Sequence, residues 1–225
     1  MKREFLKTAD GSLTIHLPDL NEQYHSKHGA IQEAKHVFIK MGWDYYFQNN
    51  NSKKVSILEI GFGTGLNCLL TIKSAIDYKN VEINYTGIEA FPVSEKEWSE
   101  LNYHQLVELE DAGIYFKRMH ELKWEIKEEI FPSFNLLKNQ KKFQDVNDKN
   151  TFDLIYFDAF GARVQPELWT EDVFLKMYNS LKKNGVLVTY SAKGSVRRAM
   201  QNTGFKVERL NGPPGKREML RAVKF

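Results

Sequence analysis

A chain of 225 residues with 42% hydrophobic residues and mixed charge is long enough to bury one full core, as expected for a globular α/β protein with a small addition. No apolar run approaches a membrane span, nothing resembles a signal peptide, and the single cysteine, Cys68, excludes an internal disulfide and fits a reducing cytoplasm. The formal charge of +3 is too small to indicate a nucleic-acid-binding protein unless the basic residues cluster. His25, His28 and His36 lie close in sequence, but without cysteines or a helical H-x-x-x-H pair beside them they predict no metal site.

Two accessory elements precede the first core strand. The segment from Phe5 to Leu17 has an Asp10-Gly11 dipeptide followed by alternating apolar residues at Leu13, Ile15 and Leu17, which predicts a β-hairpin. Gly29 to Phe47 places apolar residues at helical spacing, which predicts an amphipathic helix. We therefore expect residues 1–50 to form an N-terminal extension and residues 51–225 to form the main domain.

The stretch Lys54 to Leu70, KVSILEIGFGTGLNCLL, predicts a buried strand, a glycine turn and a helix. The G-x-G-x-G spacing fits a backbone that turns sharply and also lies against a ligand, because Cβ atoms would obstruct both. The N–H groups that begin the helix favour a carboxylate, and Glu59 at the end of the strand can accept hydrogen bonds from a cationic amine. The turn thus offers partners to both ends of an amino acid, whereas Leu66, in place of a third fingerprint glycine, argues against a nicotinamide dinucleotide.

A second carboxylate, Glu89, ends the next apolar run, Val81 to Ile88. In nucleotide-binding sheets the acid after the second strand holds ribose hydroxyls. An amino acid joined to a nucleoside describes S-adenosylmethionine, which we therefore expect as the cofactor. The alternative is a glycine turn that only packs a helix against a sheet.

The rest of the chain alternates between helix and strand patterns. In chain order these patterns predict a helix over Ser94 to Leu109, a strand over Phe134 to Leu137, an exposed loop over Lys138 to Asn150, a buried strand over Thr151 to Asp158, a helix from Thr170 to Asn184-Gly185, a strand over Val186 to Tyr190, a helix from Ser195 to Gly204, and two strands over Phe205 to Leu210 and Glu218 to Val223. The alternation predicts a doubly wound, mostly parallel sheet with a terminal antiparallel hairpin.

Ligands bind outside the carboxyl ends of the strands of such a sheet, so the glycine turn, Glu89 and Asp158 should converge on one crevice. Asp158 is followed by Ala159 and Phe160, and an acid-x-aromatic turn beside a methyl sulfonium suits methyl transfer to nitrogen. The carboxylate would orient an amine and take up or relay its proton, while the ring packs on the substrate base. Alternatively, Asp158 only caps the following turn or touches the cofactor.

The basic residues that cluster lie just after strands in the second half of the sheet. They are Lys193, Arg197 and Arg198 at the last helix, and Lys216 and Arg217 in a Gly-Pro-rich loop. On the rim of the crevice they would hold phosphates, with an affinity that falls as salt rises. An exposed charged face is the alternative.

With these motifs the chain resembles the methyltransferase domain of the bifunctional tRNA-modifying enzymes that make 5-methylaminomethyl-2-thiouridine, known as the MnmC type. The similarity covers nearly the whole chain, through QYHSKHGAIQEAKHVFI, LEIGFGTGLNCL, FDLIYFDAF, QPELWTEDVF and SAKGSVRRAMQNTGFKVERLNGPPGKREML. It implies a Rossmann-like class I S-adenosylmethionine-dependent methyltransferase that methylates the aminomethyl group on the wobble uridine of tRNA. The family's flavin oxidoreductase half is not represented in these residues, which implies an enzyme, expected as a monomer, that acts on an aminomethyl group made elsewhere.

The resemblance also implies roles for individual residues. Those implied for the cofactor are Glu59, Gly61, Phe62, Gly63, Gly65, Asn67, Glu89 and Asp158. Those implied for the substrate are Tyr24, Glu33, Phe160, Lys193, Arg197, Lys216 and Arg217. Asp158 would be the catalytic residue, and Tyr24 and Glu33 would belong to a lid formed by residues 1–50.

Two stretches depart from that family. Gly161 to Val164 replaces an Ala-Pro turn and a lysine near the substrate, and Lys141-Lys142-Phe143 stands where an acid that helps hold the adenine is expected. Adenine recognition would then use Phe143 or Gln144, or cofactor affinity is reduced. These departures leave open the methylation of another amine, on a small molecule or a protein, and a module that binds the cofactor or RNA without catalysis.

Overall fold

The computed structural model describes residues 2–225. The chain opens with a small antiparallel sheet of three strands, β1 (Glu4–Lys7), β2 (Leu13–Leu17) and β3 (Glu22–Gln23). The predicted hairpin is confirmed, and β3 extends it. Asn102 fastens this sheet to the main domain, because its side chain accepts a hydrogen bond from Leu13 N at 2.8 Å and donates one to Gly11 O at 3.0 Å.

A continuous helix follows, as the apolar spacing predicts. It consists of α1 (Ala30–Ala34), a π-helical segment (Lys35–Asp44) and α2 (Tyr45–Asn49). The π-helical segment packs closely on the main sheet at Gly42, where a Cβ atom would lie 2.9 Å from the side chain of Val188. A π-helix pairs residues i and i+5, and the sequence pattern did not predict this change of period.

The main sheet has eight strands. They are β4 (Lys54–Ile60), β5 (Glu82–Ile88), β6 (Glu128–Phe131), β7 (Phe134–Asn139), β8 (Phe152–Phe157), β9 (Leu181–Thr189), β10 (Lys206–Asn211) and β11 (Glu218–Val223). Their spatial order is β10-β11-β9-β8-β4-β5-β7-β6. The five central strands run parallel, and the terminal hairpin is antiparallel, so the predicted doubly wound sheet is confirmed. β6, an antiparallel edge strand, was not predicted.

The remaining helices differ from two of the helices predicted from the sequence. They are α3 (Leu66–Ala75), α4 (Glu95–Trp98), α5 (Tyr103–Leu106), α6 (Ala112–Glu121), α7 (Glu171–Ser180) and α8 (Gly194–Asn202). The helix predicted over Ser94 to Leu109 is wrong as one element, because it forms the two short helices α4 and α5. The predicted end of a helix at Asn184-Gly185 is also wrong, because α7 stops at Ser180 and this pair lies in an irregular part of β9.

The loop predicted to be exposed over Lys138 to Asn150 is partly buried. Lys138 belongs to β7 and is 2% exposed, its ammonium donates to His120 O at 2.8 Å, and it lies over the Trp124 ring. Burial lowers the pKa of Lys138 to about 8. Phe143 is also buried, in a 3₁₀ turn. The lysine-rich composition therefore led to a wrong prediction of exposure at these two positions. Within residues 2–225 no helix combines the length and hydropathy that a membrane crossing requires.

Candidate active site

The carboxyl ends of β4, β5 and β8 meet at one point of the sheet. Gly61 N and Phe62 N both donate to Ile88 O, at 3.0 and 2.9 Å, and Asp158 N donates to Ile60 O at 2.9 Å. These bonds join the three loops that follow the strands. The chain reverses its direction across the sheet between β4 and β8, so this is the switch point at which open α/β sheets bind ligands.

A cavity of about 680 Å³ opens at this point, a size that suits a small-molecule ligand. Its walls include ten of the residues singled out from the sequence, namely Tyr24, Glu33, Gly61, Phe62, Gly63, Asn67, Glu89, Asp158, Phe160 and Lys216. Five others lie outside the cavity lining, namely Glu59, Gly65, Lys193, Arg197 and Arg217. The crevice predicted from the strand ends is therefore present, with the wider set of basic residues away from it.

The glycine turn needs its glycines for two reasons. Gly61, Gly63 and Gly65 have φ angles of 92°, 49° and 74°, in the left-handed region that side chains rarely adopt. A Cβ atom at Gly61 would also lie 2.6 Å from Asp158 O, and one at Gly63 would lie 3.1 Å from the Tyr24 ring. Gly65 caps α3. The bare backbone of the first two glycines therefore forms part of the cavity wall.

Glu89 is held at the cavity wall by backbone groups. Its Oε2 accepts a hydrogen bond from Gly63 N at 3.0 Å, and its Oε1 accepts one from Phe91 N at 2.9 Å. A carboxylate has about four acceptor positions, so lone pairs remain for the hydroxyl groups of a ligand. The geometry is compatible with the predicted ribose contact.

A hydrogen-bonded chain lies behind the cavity. The Asn67 amide nitrogen donates to Glu59 Oε1 at 2.9 Å and to Asp158 Oδ2 at 2.8 Å, and Tyr85 OH donates to Glu59 Oε2 at 2.8 Å. Glu59 is fully buried, and burial raises its pKa well above the usual range. Asn67 belongs to the cavity lining and Glu59 does not, so Asn67 is the member of this chain that faces the cavity.

Asp158 lies half-buried at the cavity wall. Burial raises its pKa to about 7, the hydrogen bond from Asn67 opposes that rise, and the neighbouring charges of Glu33 and Lys216 act in opposite directions. Asn67 engages Oδ2, while Oδ1 has no hydrogen-bond partner within residues 2–225. This carboxyl can therefore gain or lose a proton near neutral pH and has one oxygen available to a ligand.

Aromatic residues fix the turn after Asp158. Phe160 and Tyr24 meet edge to face with ring centroids 5.0 Å apart. Tyr190 OH donates to Ala159 O at 2.8 Å, and Trp169 Nε1 donates to Phe160 O at 2.8 Å. Tyr190 was not predicted from the sequence as a site residue, although its position after β9 follows the same strand-end rule that identified Asp158.

An ion pair borders the cavity between distant parts of the chain. The Lys216 ammonium contacts Glu33 Oε1 and lies 3.8 Å from the centre of the Tyr190 ring. Glu33 Oε2 accepts a hydrogen bond from Ser26 N at 3.0 Å. These contacts join the N-terminal extension to the loop of the C-terminal hairpin. Whether the extension acts as a lid stays a prediction.

The unusual loop over Gly161 to Val164 also contacts the N-terminal extension. Gly161 lines the cavity, and the Arg163 guanidinium donates to Asn21 O at 2.9 Å and pairs with Glu22. At the other departure, Phe143 and Gln144 line the cavity, as expected if they replace the missing acid. No cluster of three or more potential metal-ligating side chains occurs in the part of the chain that the structure describes.

Comparisons with known proteins agree with this geometry. A family described as S-adenosyl-L-methionine-dependent methyltransferase matches residues 118–225. The chain is 31% identical to the tRNA 5-methylaminomethyl-2-thiouridine biosynthesis bifunctional protein MnmC of Leptospira interrogans, over 95% of this chain and 34% of that protein. It is 27% identical to the MnmC protein of Aliivibrio fischeri, over 90% of this chain and 32% of that protein. The chain thus spans about a third of the length of these relatives.

Two solved structures share the fold. The crystal structure of MnmC2 from Aquifex aeolicus superposes with a TM-score of 0.78 at 25% identity and covers 98% of this chain and 69% of that chain. Spermidine synthase from Thermotoga maritima, at 15% identity, has a TM-score of 0.52 and covers 100% of this chain and 72% of that chain. The second likeness concerns the fold alone.

The fold and the cavity at the switch point agree with the class of S-adenosyl-L-methionine-dependent methyltransferases, the family that matches residues 118–225 of this chain. Along nearly its whole length the chain is similar to proteins named MnmC, and it is similar in structure to MnmC2.

Proposed function

We propose that this enzyme transfers the methyl group of S-adenosyl-L-methionine to the nitrogen of a 5-aminomethyl group on the wobble uridine or 2-thiouridine of tRNA. The observation that carries the proposal is the Asp158 carboxyl, which lines the cavity and has a pKa raised to about 7. The similarity to MnmC proteins over 95% of the chain supports the substrate class. A tRNA substrate carries with it a cytoplasmic location.

The turn after β4 fits the amino-acid end of the cofactor. Gly61 and Gly63 leave a cradle that Cβ atoms would fill, and the N-terminus of α3 provides free N–H groups for a carboxylate. Asn67 Oδ1 is a buried acceptor with no partner within residues 2–225, and an ammonium group would satisfy it. When bound, the cofactor supplies an electrophilic methyl group on a sulfonium sulfur.

The nucleoside end has matching partners along the same wall. Glu89 retains acceptor capacity for ribose hydroxyls. Phe143 offers a ring face and Gln144 an amide to an adenine base, and both line the cavity. These residues would replace the acid that the resemblance leads one to expect.

Asp158 would accept the proton of the substrate amine. A primary alkylamine is mostly protonated at neutral pH, and only the free lone pair can attack a methyl group. A carboxyl whose pKa lies near 7 is well matched to accept that proton or to pass it to solvent. Because Asn67 holds Oδ2, Oδ1 would receive the amine, and the Phe160 and Tyr24 rings would orient the base beside it.

The nucleotide would enter the cavity beside the Glu33–Lys216 ion pair, since both residues line it. Opening it would release the Lys216 ammonium to pair with a phosphate of the incoming RNA, a charge-assisted contact of the same type. Glu33 would remain anchored by Ser26 N.

The proposal is tested by Asp158→Asn, which keeps the size of the side chain and removes its acid–base function. We expect turnover on unmethylated tRNA to fall at least a hundredfold, in the range of a lost general base, while calorimetric affinity for S-adenosyl-L-methionine changes less than threefold. Asp145→Asn, at an acid outside the cavity lining, is the matched control. Unchanged turnover in Asp158→Asn would remove this carboxyl from the mechanism, and transfer to small amines but not to tRNA would overturn the substrate assignment.

A further inference from the structure

A groove of about 690 Å³ lies outside the active site, between the N-terminal helix and α3. The side chains that give it its character are Lys35, His36, Lys40 and Lys73, with Asp44 as the acid among its lining residues and Pro214 at its border. Three lysines against one carboxylate make the groove basic. The sequence alone predicts no function for these residues and no metal site at His36.

The π-helical segment creates the alignment of the lysines. In a π-helix the backbone hydrogen bonds join residue i to residue i+5, which brings Lys35 and Lys40 to the same side of the helix. In an α-helix, with about 3.6 residues per turn, two residues five apart would lie on different sides. Both side chains are exposed and have no carboxylate within ion-pair distance among residues 2–225, although the charge of Lys40 acts on nearby Asp44. Lys73 approaches Glu108 at 3.8 Å, but the Glu108 side chain is 92% exposed, so this pair is weak.

The groove and the active site share one loop. Pro214 borders the groove, while the next two residues, Gly215 and Lys216, line the catalytic cavity. The same hairpin is fastened to the helix by His36, whose Nε2 lies 2.8 Å from Asn211 O. A polyanion with one unit in the cavity would therefore pass over this loop and reach the groove.

We propose that this groove binds the phosphate backbone of the RNA substrate on one side of the nucleotide that enters the cavity. Lysine ammonium groups bind phosphate as point charges, which suits backbone contacts rather than base recognition. The groove has no aromatic ring for unpaired bases to stack on, except the imidazole of His36, which is already engaged with Asn211 O. The lining therefore suits the phosphate backbone of the RNA rather than its unpaired bases. The inference rests on the proposed function only for the identity of the RNA.

The test compares two forms of substrate with a double charge reversal, Lys35→Glu with Lys40→Glu. With full-length unmethylated tRNA we expect KM to rise at least tenfold and the slope of log KM against log salt to fall by about two, one for each lost phosphate contact. With a trinucleotide centred on the modified uridine, too short to reach the groove, KM and kcat should stay within twofold of the wild type. Lys183→Glu, at an exposed lysine near the start of β9 and thus at the opposite end of the strands, changes the net charge by two units, the same change as Lys35→Gln with Lys40→Gln, and is the net-charge control for that pair.

The neutral pair Lys35→Gln with Lys40→Gln covers the case in which the added acids disturb the helix, and a smaller effect of the same sign is expected. Direct binding of tRNA, measured by fluorescence anisotropy with cofactor present, separates this inference from the proposed function. Weaker binding in the variants but no methyl transfer by the wild type would support the groove and refute the proposed reaction. Equal tRNA affinity and equal salt slopes in the wild type, both double variants and Lys183→Glu would show an ordinary solvated surface and overturn the inference.

Discussion

The half-buried Asp158 carboxyl should make the protein less stable as pH rises, and replacing it should stabilise the fold while it removes most of the activity. The pKa of Asp158 rises from 3.8 to about 7 in the folded state. The folded protein therefore disfavours the ionised form relative to the unfolded chain. Well below pH 3.8 both states hold the proton and the penalty is absent. The penalty grows through the interval between the two pKa values and is complete at about pH 8.

The size of this effect follows from the difference in pKa. About 3 pKa units at 1.36 kcal/mol each give a full penalty of roughly 4 kcal/mol above pH 8. Between pH 5 and pH 8 the penalty grows by roughly 2–3 kcal/mol, because part of it has already developed at pH 5. For a chain of this length that corresponds to a shift of about 5–10 °C in Tm.

The assay is urea unfolding of the wild type and Asp158→Asn at pH 5 and pH 8, without cofactor. The variant should gain stability relative to the wild type as pH increases, by the amount given above. Any effect of the substitution on packing is independent of pH and cancels in the comparison. If the difference in unfolding free energy between the two proteins is the same at both pH values, Asp158 does not carry a raised pKa and its assignment as a proton acceptor fails.

Three further predictions concern the cavity wall. Asn67→Ala removes the hydrogen bond that lowers the pKa of Asp158, so the rising limb of the pH–rate profile should move to higher pH, and an unmoved midpoint would contradict that role. Gly63→Ala should weaken cofactor binding in calorimetry at least tenfold, whereas Gly11→Ala, with a similarly positive φ but open space around it, should leave affinity unchanged; equal effects would implicate backbone strain alone. Phe143→Ala should weaken cofactor binding but not tRNA binding, and wild-type affinity would exclude the ring from adenine recognition.

The positions of the principal acids could be predicted from the sequence because they depend on a simple rule. Glu89 and Asp158 follow apolar runs, and the ends of parallel strands meet at one edge of a sheet whatever the details of packing. The glycine turn was recognisable for a similar reason, since its positive φ angles restrict the choice of residue. These features are local, and their meeting point follows from topology.

Other features depend on contacts that no local pattern encodes. Lys216 and Glu33 are 183 residues apart, and their pairing follows from the way the hairpin loop packs on the N-terminal helix. The direction of Glu59 depends on Tyr85, a hydroxyl on the neighbouring strand that holds it away from the cavity. Lys138 looked exposed by composition, yet tertiary contacts bury it between His120 O and an indole ring.

The measurement that tests the central claim most directly is methyl transfer from labelled S-adenosyl-L-methionine to tRNA that carries 5-aminomethyl-2-thiouridine, followed by mass analysis of the nucleosides. The proposed function predicts the gain of one methyl group on that nucleoside and its loss in Asp158→Asn. Cofactor binding without any gain of label in tRNA, or label on a different nucleoside, would contradict it.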